Sequence, residues 1–92
     1  MRILTENKTG MNRNRLLWAS RRGMLELDLL LTPFVERHYE HLSDKDKIVF
    51  EVLLEQEDQT LYKWLINHRI LPDNNFFRIV NIIRAAHAMS TP

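Results

Sequence analysis

Few residue combinations in this chain could carry out chemistry. The sequence contains no cysteine, which excludes disulfides, thiol nucleophiles and cysteine-ligated metal clusters. Its two glycines, Gly10 and Gly23, are too far apart to form a phosphate-binding loop. His38 and His41 lie three residues apart on a predicted helix and could approach one metal ion. No third ligand accompanies them, so we expect no metal site.

Two carboxylates, Glu51 and Glu55, lie four residues apart and face the same side of a predicted helix. They could form a catalytic acid–base pair, but such residues more often belong to a solvated helix face, which is the interpretation we favour. No nucleophile-elbow, zinc-protease or EF-hand pattern is present. The residues therefore predict that the protein is not an enzyme and binds no cofactor of its own.

The densest local signal is the segment Arg22-Gly23-Met24-Leu25-Glu26. In a purely structural interpretation, Gly23 ends one helix, Glu26 complements the positive end of the next, and Arg22 is a solvated charge. In a functional interpretation, Gly23 lets another protein approach the backbone, flanked by Arg22 as donor and Glu26 as acceptor. The residues alone leave both interpretations open. They also leave open whether the nearby Trp18 is buried in the core or contacts a partner.

The charge is unevenly distributed along the chain. Residues 1–23 carry a net charge of +5, residues 24–58 carry −7 and residues 59–92 carry +3, for a total of +1. An arginine cluster around Trp18 could bind phosphates while the indole stacks on a base. The acidic segment that follows disfavours this, so we expect no nucleic-acid partner. The cluster consists of Arg13, Arg15, Arg21 and Arg22.

Long apolar segments are missing from the sequence. No uninterrupted run of 18 apolar residues occurs, and the N-terminal residues lack the apolar region of a secretory signal. We therefore expect no membrane insertion and a cytoplasmic location.

Helical periodicity predicts the elements that position the junction. A first helix is expected from about Asn12 to Arg21, with Leu16 and Leu17 facing inward, and Gly23 ends or bends it. A second pattern runs from Met24 to about His41. Because Pro33 lies inside this pattern, we expect a kink near Leu29 or two shorter helices that meet there. The inward stripe of the second pattern is Leu27, Leu31, Phe34, Val35, His38 and Leu42.

Three further helices are predicted in the second half of the chain. Ser43 is expected to cap the third helix, with Asp46 in a variant of the capping box. This helix should run to about Gln56 and bury Ile48, Val49, Val52 and Leu53. Asp58 is expected to cap a fourth helix with one face formed by Leu61, Trp64, Leu65 and His68. Pro72 breaks the chain, and Asp73 or Asn74 can cap a fifth helix striped by Phe76, Ile79, Val80, Ile83 and Ala86.

The predicted fold is all-α, a compact five-helix bundle in one domain. Apolar residues make up 45% of the chain and charged residues 27%, which is ordinary for a folded domain and argues against disorder. We expect residues 1–10 to be a flexible N-terminal tail, residues 11–88 the helical domain and residues 89–92 a C-terminal tail.

Two blocks of the sequence resemble the succinate dehydrogenase flavinylation factors, a bacterial family related to the mitochondrial assembly factor 2. The first block is WASRRGMLELDLLL at 18–31, in which the RGxxE motif of the family falls on Arg22, Gly23 and Glu26. The second comprises FEVLLEQED at 50–58 and LYKWL at 61–65. The likeness extends over about residues 12–84, so it covers nearly all of the predicted domain.

The resemblance implies a five-helix bundle and a role in maturation. A member of this family binds the flavoprotein subunit of succinate dehydrogenase, and often that of fumarate reductase, and promotes covalent attachment of FAD to a histidine of that subunit. FAD would thus belong to the partner. Some members have instead been described as antitoxins of toxin–antitoxin pairs, which is the alternative function. A flavin carrier is a third possibility, but a bundle this small can hardly enclose the cofactor. The protein-binding residues implied here are Arg22, Gly23, Met24, Glu26, Trp18 and Arg21.

Overall fold

The computed structural model describes residues 13–67, 72 and 74–90, and these residues form five α-helices with no strand among them. The predicted all-α, five-helix fold is therefore confirmed. The helices are α1 (Arg13–Ser20), α2 (Leu25–Arg37), α3 (Asp44–Leu53), α4 (Asp58–Tyr62) and α5 (Asn74–Ser90), with a 3₁₀ turn at Tyr39–His41 and a π-helical turn at Lys63–Asn67.

A single apolar core is shared by all five helices. Helix α2 contributes the largest share, five of the 15 buried apolar side chains among the described residues, because its inward face repeats with the period of a helix. The aromatic ring of Phe50 lies at the centre of the core, with centroids 5.2 Å from Phe34 and 5.7 Å from Tyr39. The fully buried side chains include Leu16, Leu27, Leu31, Val35, Phe50, Leu53, Leu61, Leu65, Ile79, Val80 and Ile83.

Helix α2 continues through Pro33 as a single element. The alternative of two helices meeting near Leu29 is therefore wrong. Pro33 removes one backbone hydrogen bond, to the carbonyl of Leu29, and the helix continues past it to Arg37, where the chain tightens into the 3₁₀ turn. Of the predicted stripe, Leu27, Leu31, Phe34 and Val35 are buried, whereas His38 and Leu42 are half-buried.

The start of helix α3 was predicted correctly, and its buried face was predicted in part, because Leu53 is buried and Val49 packs against the core. Ser43 Oγ accepts a hydrogen bond from the Asp46 N–H at 3.1 Å, which confirms the cap. The helix ends at Leu53 rather than Gln56, and Ile48 and Val52 are exposed. Phe50 and Leu54 take their place in the core, since α5 packs against the opposite face of α3.

Asp58 does not cap helix α4. Glu57 occupies the cap position without a side-chain hydrogen bond, and Asp58 is the first helical residue. Leu61 and Leu65 are buried as predicted, and Trp64 packs against the core, with its ring 5.5 Å from that of Phe76. His68 lies outside the described residues.

Helix α5 crosses both α2 and α3. Ile79, Val80 and Ile83 are buried, with Phe76 and Ala86 packed beside them, so the predicted stripe is confirmed. The helix reaches Ser90, two residues past the expected domain boundary at 88. The expected tail 1–10 and the cap candidate Asp73 lie outside the described residues. No helix in the described part of the chain is long and apolar enough to span a membrane.

An ion pair joins the first turn of α3 to α5. Arg78 donates hydrogen bonds from Nε and Nη2 to the two oxygens of the Asp46 carboxylate, each at 3.2 Å. These hydrogen bonds hold the pKa of the Asp46 carboxyl below its usual range. At pH values between the two pKa values of Asp46, the folded protein binds fewer protons than the unfolded protein. The ion pair therefore stabilises the fold above the pKa that Asp46 has in the unfolded protein, and this stabilisation is lost as the pH falls through its pKa in the folded protein.

We therefore expect Arg78→Leu to destabilise the protein at about pH 6 and to have a smaller effect at about pH 2.5. Because Arg78 is mostly exposed, the effect should also shrink in high salt. Urea unfolding of the wild type and of Arg78→Leu at the two pH values measures the loss of stability, and Arg84→Leu on the same helix is the control. An equal difference between wild type and Arg78→Leu at both pH values would contradict the assignment.

Candidate protein-binding site

The junction between α1 and α2 is built around a left-handed glycine. Helix α1 ends at Ser20 and α2 begins at Leu25, and Gly23 in the connection has a φ of +83°. This conformation is accessible to glycine and strained for other residues, which confirms the predicted role of Gly23 in the turn. A Cβ built on Gly23 would meet no atom within 4 Å, so this side of the junction faces open space.

Helices α1 and α2 are held close together just before the turn. Ser20 is completely buried, and its hydroxyl donates to the carbonyl of Leu17 at 2.7 Å. Its oxygen also lies 3.0 Å from the hydroxyl of Thr32, which links the end of α1 to the middle of α2. At the start of α2, the Asp28 carboxylate accepts the backbone N–H of Arg22 at 2.6 Å. These contacts fix the path of the connection.

The side chain of Arg22 points into the protein, with 15% of its surface exposed. Nε donates to the Asp58 carboxylate at 2.8 Å, which ties the junction to the start of α4. Nη1 donates to the carbonyls of Ala19 at 2.9 Å and Leu54 at 2.7 Å, and Nη2 donates to that of Gln56 at 2.7 Å. These carbonyls lie at the ends of α1 and α3, where helices leave acceptors without an internal partner.

Arg22 is therefore not the solvated charge of the structural interpretation. It also differs from the free donor of the functional interpretation, because four of its hydrogen bonds are made within the chain. These contacts could not be predicted from the sequence, since Leu54, Gln56 and Asp58 are 32 to 36 residues away. Within the RGxxE motif, Arg22 thus points into the protein, unlike Gly23 and Glu26.

The remaining predicted residues lie on the surface of the junction. Gly23, Glu26 and Arg21 are exposed, and Met24 is half-buried against the core. Within the described residues the Glu26 carboxylate makes no hydrogen bond or ion pair. The indole of Trp18 is 76% exposed, so of the two alternatives left open for this residue, burial in the core is wrong.

Two exposed leucines on α2, Leu25 and Leu29, were missed as candidates for this surface. A signal for them was present in the sequence. The segment LELDLLL contains more leucines than one helix face can bury, so some of them must face outward.

The other chemical candidates are accounted for by packing. Glu51 is buried and accepts a hydrogen bond from the Tyr39 hydroxyl at 2.7 Å, so its assignment to a solvated face was wrong. Glu55 lies beyond the end of α3 and is exposed. His38 is half-buried with its ring 5.6 Å from that of Phe34, and His41 is exposed.

The arginine cluster does not form one basic surface. Arg22 is directed inward, and Arg13 lies 3.5 Å from the Glu40 carboxylate. Two of the four arginines are thus near acidic partners, which leaves less positive charge for a phosphate backbone. The arrangement suits contact with a protein surface better than with a nucleic acid.

The chain is similar to proteins of one family throughout the helical region. The family described as "Flavinator of succinate dehydrogenase" matches residues 14–87. A protein of Shewanella oneidensis named "FAD assembly factor SdhE" is 49% identical over 78 residues, covering 85% of this chain and 95% of that protein. A protein of the same name from Colwellia psychrerythraea is 44% identical over 81 residues, covering 85% of this chain and 89% of that protein. Another from Yersinia pseudotuberculosis is 41% identical over 81 residues, covering 88% of this chain and 92% of that protein. Both the family match and the relatives include the α1–α2 junction, and the chain belongs to the family of succinate dehydrogenase flavinators.

Proposed function

We propose that this protein binds the flavoprotein subunit of succinate dehydrogenase and promotes covalent attachment of FAD to it. The observation that carries the proposal is the family match over residues 14–87, which spans all four residues of the α1–α2 connection. The fumarate reductase flavoprotein is a second client in this proposal, and the site of action is cytoplasmic.

The client-binding set comprises the six residues identified in the sequence, and they act in two ways. Gly23, Glu26, Trp18 and Arg21 touch the client directly, with Met24 supplying apolar surface at the edge of the core. Arg22 is a positioning residue, because its guanidinium holds the connection against the turn after α3. Helices α1 to α5 form the domain that presents this set.

The proposed role is non-catalytic. Formation of the bond between FAD and the acceptor histidine is chemistry of the flavin within its own protein. The factor supports it by holding the flavoprotein in a state in which FAD and histidine are correctly placed, which is a proximity effect. FAD therefore stays with the client.

The critical experiment compares two substitutions of Gly23. Gly23→Ala and Gly23→Arg carry the same backbone strain at a φ of +83°, but only arginine places a long charged side chain in the open space beside the junction. We expect Gly23→Ala to keep most of the covalent flavin in the client, and Gly23→Arg to reduce it to the level of a deletion strain. In-gel fluorescence of the denatured flavoprotein band measures the covalent flavin.

Glu26→Ala provides a second variant that leaves the backbone of the turn unchanged. A loss of client binding by this variant, with an unchanged urea midpoint, is expected if the carboxylate contacts the client. Equal fluorescence of the client band in the wild type, the deletion strain and every variant would contradict the proposal. An antitoxin role would then be the leading function.

A further inference from the structure

Two leucines of helix α2 face outward beside the proposed site. Leu25 is 68% exposed and Leu29 is 59% exposed, and a spacing of four residues places them one above the other on the same face. The opposite face of the helix is buried in the core through Leu27, Leu30 and Leu31. Leu25 and Leu29 are therefore surplus to the core of the monomer.

Leu29 belongs to a surface that extends across both helices, and Leu25 lies one turn from it on the same face of α2. One groove is lined by Leu17, Trp18 and Arg21, and a second by Arg21, Leu29 and Pro33. Because Arg21 borders both grooves, the surface is continuous from the indole of Trp18 to the second turn of α2. We refer to Trp18, Arg21, Leu25, Leu29 and Pro33 as the α1–α2 face.

We propose that the α1–α2 face binds a segment of the client flavoprotein that presents apolar side chains beside a carboxylate. This inference rests on the proposed function and extends the binding site beyond the RGxxE motif. Leu25 and Leu29 lie on the same helix as Glu26, so a client that contacts Gly23 and Glu26 also reaches them. Burial of two exposed leucines removes apolar surface from water and so favours association.

The carboxylate follows from the charge at the centre of the face. Arg21 is exposed between the two grooves, and a guanidinium enclosed by a partner requires an acceptor, for which a carboxylate has the matching planar geometry. Asp28 lines the second groove beside Arg21, but in the described part of the chain its carboxylate accepts the Arg22 N–H and forms no ion pair with the Arg21 guanidinium.

A second copy of this chain fits the face less well. In a symmetric contact the same residues of both copies meet across the two-fold axis. A contact centred on the face would place the two exposed Arg21 guanidinium groups close together, and their like charges oppose association.

The test compares two matched pairs of substitutions in the full-length protein. Leu25→Gln with Leu29→Gln removes the apolar surface of α2 while keeping a good helix former at each site. Ile48→Gln with Val52→Gln does the same on α3, where the two residues are also four apart and are 51% and 41% exposed. Affinity for the purified client flavoprotein and covalent flavin in that client are measured for both, with wild type and Gly23→Arg in the same series.

We expect the pair on α2 to weaken client binding at least about tenfold and the pair on α3 to change it less than about twofold. Arg21→Glu should also weaken binding, and wild-type affinity should fall with added salt. The urea midpoint of each variant shows whether a substitution has destabilised the fold, and we expect no large change at these exposed sites.

Three results would overturn the inference in distinguishable ways. If the α2 pair and the α3 pair bind the client equally well, while the wild type is active and Gly23→Arg is inactive, the α1–α2 face is rejected and the proposed function is kept. A dimeric wild type that becomes monomeric in the α2 pair, with client binding unchanged, would assign the face to self-association. Absence of client binding by the wild type would reject the proposed function and this inference together.

Discussion

Replacement of Phe50 by alanine is expected to lower the free energy of unfolding by about 4 kcal/mol. Phe50 is completely buried at the centre of the core, where its ring contacts those of Phe34 and Tyr39. The substitution removes most of the side chain and leaves a cavity beside the rings of Phe34 and Tyr39. The loss is large for a domain of this size, whose total stability is of the order of 5–10 kcal/mol.

Urea unfolding followed by circular dichroism measures this effect. Phe77→Ala is the matched control, since Phe77 is the same residue type on α5 and is nearly half exposed. We expect the control to cost less than about 1 kcal/mol. Phe50→Leu should lie between the two, and it gives a measurable value if the alanine variant does not fold. Equal losses for Phe50→Ala and Phe77→Ala would contradict the central position of Phe50.

Arg22→Ala is expected to lower the free energy of unfolding by about 3 kcal/mol. The substitution leaves the carbonyls of Ala19, Leu54 and Gln56 without the donor that they have in the structure, and it leaves the Asp58 carboxylate without its counter-ion. Leu54 is buried, so water cannot readily replace the guanidinium at its carbonyl. The partly exposed Asp58 contributes less, because solvent screens its ion pair.

Two controls separate the geometry of Arg22 from its charge. Arg22→Lys retains the positive charge but not the planar fork that reaches several acceptors at once, and we expect it to recover less than half of the loss. Arg21→Ala removes an exposed arginine one residue away and should cost less than about 0.5 kcal/mol. Full stability of the lysine variant would show that the hydrogen-bond geometry of Arg22 is unimportant.

The same variants distinguish the two kinds of residue in the RGxxE motif. We expect Arg22→Lys to lower stability and client binding together, because it loosens the connection that presents Gly23. Glu26→Ala should weaken client binding alone. A stabilising additive that restores the fold of Arg22→Lys, such as a strongly excluded osmolyte, should also restore its binding. Binding that stays weak in the folded variant would instead indicate that Arg22 contacts the client directly.

Local patterns in the sequence determined the helices and some of their ends. The stripe of α2 is readable because buried positions on a helix repeat every three or four residues, and Leu27, Leu31 and Phe34 follow that spacing. Ser43 and Gly23 are readable for a similar reason, since a cap and a left-handed turn depend on the residue itself and its close neighbours. The family resemblance rests on the same kind of local information.

Only the tertiary structure decided which of several apolar faces is buried and where long polar side chains reach. Helix α3 carries apolar residues on more than one side, and the position of α5 selects Phe50 and Leu53 for the core while Ile48 and Val52 stay exposed. Arg22 turns inward because the loop after α3 brings unpaired carbonyls within reach of its guanidinium. Such choices depend on the relative placement of helices distant in sequence, which the spacing of residues along one helix does not encode.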